Sequence, residues 1–147
     1  KQLQPSAINV GGANGTNFAM IERRRNRQAD NFNIDQFGLS TVESLLSAQL
    51  AQNTLPVIAT GGIASANDVM TSLMLGATMT SSAGYMLNTL MTYGEAGLVD
   101  EIISWQHALP RLMTLLGARH ISELPSKPRL YASNLQNFIN QSKNATP

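Results

Sequence analysis

Apolar residues in this chain fall into short runs that stop at small residues, and into longer stretches with helical spacing. Ser6 to Val10 is a short apolar run that ends at Gly11-Gly12 and reads as a buried strand. Leu55 to Ala59 is a second, closed by Gly61-Gly62, and Ala77 to Ser82 is a third strand-like run, of mixed polarity, leading into Ala83-Gly84. Helical patterns follow the runs. Ser40-Thr41-Val42-Glu43 has the form of a capping box, and the helix it starts turns Val42, Leu45, Leu46 and Ala48 inward. Ser65-Ala66-Asn67-Asp68 offers another cap, for a helix from Asp68 to Leu75 with Val69, Met70, Leu73 and Met74 on one face. Gly76 then suits the residue just past the helix. From Leu98 to Leu116, the residues Leu98, Ile102, Trp105, Leu109, Leu112 and Leu116 alternate spacings of four and three. Pro110 interrupts that pattern, which predicts two helices or one kinked near Pro110, with Gly117 at its end. Ser133 heads a last helix over Leu135 to Ile139, and residues 141–147 read as a disordered tail.

Strand, small-residue turn and helix recur in that order near residues 6–52, 55–75 and 77–116. Parallel strands joined by helices fit this spacing. Three parallel strands cannot close a barrel, and a (β/α)₈ barrel takes about 250 residues. The chain therefore reads as α/β, the C-terminal part (about strands 6–8) of a (β/α)₈ TIM barrel, with about five strands missing. Residues 1–147 are expected to be one piece of a single domain, and a first residue of Lys1 in place of Met fits a piece.

Composition narrows the partners. The formal net charge is +1, so no strong field draws the chain to nucleic acid or a membrane surface. Charged residues make up only 13%, with Asn, Gln, Ser and Thr in their place. There is no cysteine, which excludes disulfides and thiolate metal sites and fits a cytoplasmic chain. No apolar run approaches the roughly 18 residues of a membrane span.

A phosphate needs several N–H donors that converge with no side chain in the way; glycines permit the approach and a helix N-terminus adds positive potential. Gly61-Gly62-Ile63-Ala64 and Ala83-Gly84-Tyr85 supply both at the ends of successive strands, and the small side chains of Ser81, Ser82 and Ala83 leave room. Gly61 and Gly62 alone are equally well read as turn residues; the paired arrangement points to phosphate. Gly11-Gly12-Ala13-Asn14-Gly15-Thr16 is a third such loop, in which Thr16 has a hydroxyl to offer. No nucleophile and base stand together. His107 and His120 read as surface or packing residues, Trp105 as core, and Glu22 with Arg23, Arg24, Arg25 and Arg27 as a salt-bridged loop. No His, Asp or Glu cluster has metal-ligand spacing. The residues thus yield neither a catalytic side chain nor a metal ligand.

The three loops together resemble a known family. Gly15-Thr16-Asn17-Phe18-Ala19 with Ile21-Glu22 and Arg25 is similar to the GTNFAxIExxR segment of type 2 isopentenyl diphosphate isomerases. Phe37-Gly38-Leu39-Ser40-Thr41 resembles their WGIPT segment. Ile58 to Ile63, Asp68-Val69, Leu75-Gly76-Ala77 and Ala83-Gly84 match their IASGGI…DV…LGA…AG run, and Leu112-Met113 with Leu116-Gly117-Ala118 resembles their MLLTGA helix. The resemblance runs to about Leu124; its GGI and AG loops are shared with other FMN-binding barrels, such as hydroxyacid oxidases. It implies an FMN-dependent (β/α)₈ barrel, homo-oligomeric as a tetramer or octamer, that interconverts isopentenyl and dimethylallyl diphosphates. Reduced flavin would act in the proton transfer, NADPH as reductant and Mg²⁺ in diphosphate binding. By motif position the cofactor-binding residues would be Gly11, Thr16, Gly61, Gly62, Ile63, Ala64, Ala83 and Gly84. The chain departs from the family at Gly11 (often Ser), Asn14 (usually Gly) and Ala64 (usually Arg). The family's flavin Lys, its Gln and Glu of the substrate and metal site, and its basic diphosphate contacts belong to an N-terminal half, so this piece alone should be inactive.

Two other readings stand beside this one. Another FMN barrel, such as a hydroxyacid oxidase, would need a His and Arg pair just before the strand-7 region, yet the sequence has neither between Gln28 and Gln106. A non-catalytic phosphate-binding half-barrel would need a partner to cover its open sheet edge.

Overall fold

A computed structural model describes residues 4–16, 21, 22, 25 and 38–145. Each of the three runs contains a strand: β1 (Ile8–Val10), β2 (Val57–Ala59) and β3 (Met79–Thr80). They form a parallel sheet in the order β1-β2-β3. The strands are shorter than the runs. β3 keeps only the two residues that face Ile58 and Ala59, and the flanking Thr78 and Ser81 N–H groups donate to the Val57 and Ala59 carbonyls at 2.8 and 2.9 Å.

The cap signals place the helices. In α1 (Thr41–Leu50) the capping box is complete: Ser40 Oγ accepts from the Glu43 N–H at 3.2 Å, and Glu43 Oε2 accepts from the Ser40 N–H at 2.7 Å. Helix α2 (Ala66–Met74) starts two residues earlier than expected because Ser65 is its N-cap, accepting from the Asp68 N–H. It ends at Leu75 and Gly76, and Arg129 donates to the Met74 carbonyl there. The later elements are α3 (Gly84–Leu115), a 3₁₀ turn (Ile121–Ser126) and α4 (Ser133–Ala145). Helix α4 runs past Gln141 to Ala145, so the expected loose tail is helical over its described residues.

The interruption of α3 falls at Gly94 (φ 73°, ψ −173°), while Pro110, where a break was expected, keeps helical dihedrals. A proline removes one ladder bond but holds a helical φ. A left-handed φ with extended ψ redirects the chain outright, at little cost only for glycine. The two segments fold back on each other: the Tyr85 hydroxyl lies 2.8 Å from Glu101 Oε1, sixteen residues on, where a straight helix would separate them by roughly 24 Å.

Two apolar clusters hold these elements. Leu45, Leu46, Val57, Ala59, Leu75, Ala77 and Ile139 join one sheet face to α1 and α4. Ile63, Val69, Met70, Leu73, Ala118 and Leu124 join α2 to the second segment of α3, through Trp105, Leu109 and Leu112. The opposite sheet face is different. Asn9, Ile58 and Met79 lie in register across it, and Met79 is 60% exposed. Among the described residues, no helix layer covers that face.

Thr41 ties the sheet to α1. Its side chain is buried, and its hydroxyl lies 2.8 Å from the Gly61 carbonyl, 3.0 Å from that of Thr60 and 3.3 Å from that of Gly11. It is thus a donor at the carboxyl ends of both β1 and β2. Thr41→Val keeps the shape and removes the donor; it should cost about 1–3 kcal/mol, the penalty of a buried group left unpaired, while Thr41→Ser should lose much less. Urea denaturation measures both.

Hydrogen bonds from the Ser40 backbone and then its hydroxyl hold the Glu43 carboxyl below its ordinary pKa. A carboxyl depressed by folding contributes stability above its unfolded pKa and loses it as the pH falls through the folded one. Glu43→Gln should therefore destabilise at pH 7 and converge with the wild type below about pH 4. Denaturation midpoints across that window test the sign.

Candidate functional site: a glycine-walled cavity at the strand ends

The carboxyl ends of β1, β2 and β3 open into one cavity of about 690 Å³. That lies within the roughly 300–1,000 Å³ of small-molecule and cofactor sites. All of Gly11, Thr16, Gly61, Gly62, Ile63, Ala64, Ala83 and Gly84 line it. The loops that carry them lie far apart in sequence and meet because their strands are neighbours in a parallel sheet, whose ends all point the same way.

The walls touch backbone to backbone. Gly61 has φ +84°, and a Cβ there would fall 2.1 Å from the Gly11 carbonyl oxygen and 2.6 Å from the Gly15 nitrogen. Only glycine allows the first and second loops to come this close. The third loop is drawn in by Ser82, whose hydroxyl donates to the Ile63 carbonyl at 2.6 Å. At Gly84 a Cβ would meet nothing within 4 Å, so that part of the wall is open.

Free donors distinguish parts of this wall. Among the described residues, the backbone N–H groups of Gly62, Ile63, Gly84 and Tyr85 have no acceptor. Those of Gly84 and Tyr85 belong to the first turn of α3, whose N-cap, Ala83, provides no side-chain bond. The orphan donors and positive end of that turn suit an anion. The Ala64 N–H is already taken: it donates to Asp68 Oδ2 at 3.1 Å, and the Ser65 hydroxyl donates to the same oxygen at 2.7 Å. Ala64 thus shapes the wall while its amide is engaged.

Sequence reasoning passed over the aromatic side of the cavity. Tyr85 lines it and stacks on Trp105, with ring centroids 5.7 Å apart. Glu101 Oε1 accepts from the Tyr85 hydroxyl at 2.8 Å and from the Trp105 indole N–H at 2.7 Å. The bond to Glu101 holds the Tyr85 phenol above its ordinary pKa. Trp105, expected simply as core, is half-buried and polar at one edge. The one available signal was the spacing of four from Glu101 to Trp105, a single helical turn.

The remaining candidates stand apart. His107 and His120 are exposed. Glu22 and Arg25 form the expected ion pair, exposed and 3.0 Å long, but their backbone is helical where a loop was expected; Arg23, Arg24, Arg27 and the motif residues Asn17, Phe18, Ala19 and Phe37 lie outside the described residues. Among the described residues no three His, Asp or Glu side chains gather to hold a metal ion, and no helix is long and apolar enough to cross a membrane.

Known proteins are similar to this chain. The chain is 49% identical over 138 residues to an isopentenyl-diphosphate delta-isomerase of Lactococcus lactis subsp. lactis (strain IL1403), covering 94% of this chain and 39% of that protein. Isomerases of the same name from Latilactobacillus sakei subsp. sakei (strain 23K) and Bacillus licheniformis are 35% and 43% identical, over 91% and 90% of this chain and 38% of each relative. The chain thus spans about two fifths of the length of these curated relatives. The family model for FMN-dependent dehydrogenases matches residues 33–131, which take in the whole of α1, α2, α3 and the 3₁₀ turn beyond. With that match over two thirds of its length, the chain belongs to the FMN-dependent dehydrogenase family.

Proposed function

We propose that this chain is the C-terminal part, about strands 6–8, of a (β/α)₈ barrel that binds FMN, and that the whole protein interconverts isopentenyl and dimethylallyl diphosphates. The bare sheet face supports the barrel. Parallel sheets are covered on both faces almost without exception, and here Asn9, Ile58 and Met79 await a covering. Further strands that curl round from both edges would enclose that face as a barrel interior and leave α1, α2 and α3 outside.

The single observation that carries the ligand reading is the convergence of free N–H donors from Gly62, Ile63, Gly84 and Tyr85 on one glycine-walled cavity. A phosphate monoester fits this set. The backbone approaches without side chains at Gly61 and Gly62, and the uncapped turn of α3 favours negative charge. Gly62 and Ile63 on one side and Ala83 and Gly84 on the other would hold the phosphate of FMN. Thr16 would offer its hydroxyl, while Gly11, Gly61 and Ala64 would shape the wall. When bound, reduced FMN supplies the proton-transferring group of the reaction. This chain's residues bind and orient it; they include no catalytic side chain. Names of relatives 33–49% identical support the isomerase reading over another FMN enzyme, as does the lack of any His or Arg between Gln28 and Gln106. NADPH as reductant, Mg²⁺ at the diphosphate, a homo-oligomer and a cytoplasmic setting complete the proposal; the metal ligands would come from the missing strands.

The test is isomerase turnover. The full-length protein, reduced with FMN and Mg²⁺ present, should isomerise isopentenyl diphosphate, and residues 1–147 alone should not; an inactive full-length protein that still binds FMN would overturn the isomerase reading. A second experiment probes the phosphate directly. Gly84→Asp puts a carboxylate at the first turn of α3, where the dipole tolerates it and a Cβ finds open space. The full-length variant should keep its thermal stability and lose at least about tenfold in FMN affinity, read by quenching of flavin fluorescence.

A further inference from the structure

We propose that Glu101 is a positioning residue for the bound phosphate: by holding Tyr85 it fixes the uncapped first turn of α3 against the cavity. The proposal rests on the phosphate reading above and names the residue that sets the geometry of half of that site.

Glu101 does not line the cavity, so any effect it has passes through its partners. One carboxylate oxygen, Oε1, receives both the Tyr85 hydroxyl and the Trp105 indole N–H. Bonds of this kind, with an ionised acceptor, are roughly twice as strong as neutral ones. The Tyr85 ring also stacks on Trp105. Both contacts of Tyr85, its bond to Glu101 and its stacking on Trp105, cross the Gly94 break. The chain beyond Gly94 is anchored, because Trp105, Leu109 and Leu112 pack on the α2 cluster. The segment before Gly94 is not anchored in that way. Leu87, Met91 and Tyr93 are exposed on it, and Thr89, the buried residue of α3, spends its hydroxyl on the Tyr85 carbonyl. No helical ladder continues through Gly94 to set the angle between the two segments. The contacts that do so at the cavity end are those of Tyr85, the residue after Gly84. Displacing Tyr85 would move the N–H groups of Gly84 and Tyr85, whose alignment a phosphate requires.

The experiment compares two flavins that differ by the phosphate. FMN and riboflavin are titrated separately into the flavin-free full-length protein, followed by flavin fluorescence, for the wild type, Tyr85→Phe, Glu101→Ala and Glu101→Gln. Thermal melts without flavin accompany each variant. Tyr85→Phe and Glu101→Ala should weaken FMN by about tenfold and riboflavin by less than about twofold. Glu101→Gln keeps an oxygen that accepts and should recover part of the FMN affinity. A merely structural role would weaken both flavins in the same proportion and lower the melting temperature in parallel; that result, or unchanged FMN affinity in Tyr85→Phe and Glu101→Ala, overturns the proposal. If the wild type binds both flavins alike, the phosphate reading itself fails and takes the positioning role with it. That failure is visible before any variant is made.

Discussion

The carbonyls at the end of a parallel strand lose their ladder partners where the chain turns away, and a buried carbonyl without a donor is costly. At the ends of β1 and β2 this need is met by one side chain, Thr41, whose hydroxyl sits among the carbonyls of Gly11, Thr60 and Gly61. A hydroxyl has one proton, and the shortest contact, to Gly61, marks where it chiefly goes. The cavity depends on that arrangement. Thr41 can reach the carbonyls only because Ser40 and Glu43 fix where α1 begins. Gly61 can sit against Gly11 and Gly15 only because it lacks a Cβ. Its turn in turn aims Gly62 and Ile63, and Ser82 ties the third loop to the same point.

Much of this could be read from local signals. Capping residues and apolar periodicity located α1 and α2 within two residues, because the local bonds of Ser40, Glu43, Ser65 and Asp68 decide where a helix begins. The eight residues proposed to hold the cofactor share one cavity because strand order alone brings the ends of parallel strands together. What escaped the sequence was set by tertiary contacts. Thr41 appeared as the second letter of a cap motif, with nothing local to show that its hydroxyl would meet carbonyls some twenty and thirty residues away. Pro110 drew the expectation of a break or a kink because proline is a familiar helix breaker, whereas the reversal at Gly94 is held by Tyr85, Glu101 and Trp105 across the fold. The engagement of the Ala64 amide by Asp68 likewise depends on a loop conformation that composition does not specify.

The two apolar clusters divide the labour. One lies beneath the sheet and carries no cavity residue; the other reaches the cavity through Ile63 and supports the anchored part of α3 through Trp105. The sheet cluster therefore fixes where the strands end, and the helix cluster fixes what faces those ends. A substitution in the first would act on all three loops together, whereas one in the second would act mainly on the wall formed by the third.

The sheet cluster also joins parts of the chain that lie far apart in sequence. Ile139 of α4 packs with Leu45 and Leu46 of α1 and with Val57 and Ala59 of β2. On a ribosome, Ile139 would emerge about 90 residues after Leu45, roughly 5–20 s later at ordinary synthesis rates. Through that interval the apolar side of α1 would lack its closing helix. Nascent copies of this segment would then be open to chaperones, or to one another, until the last turns of α4 had been made.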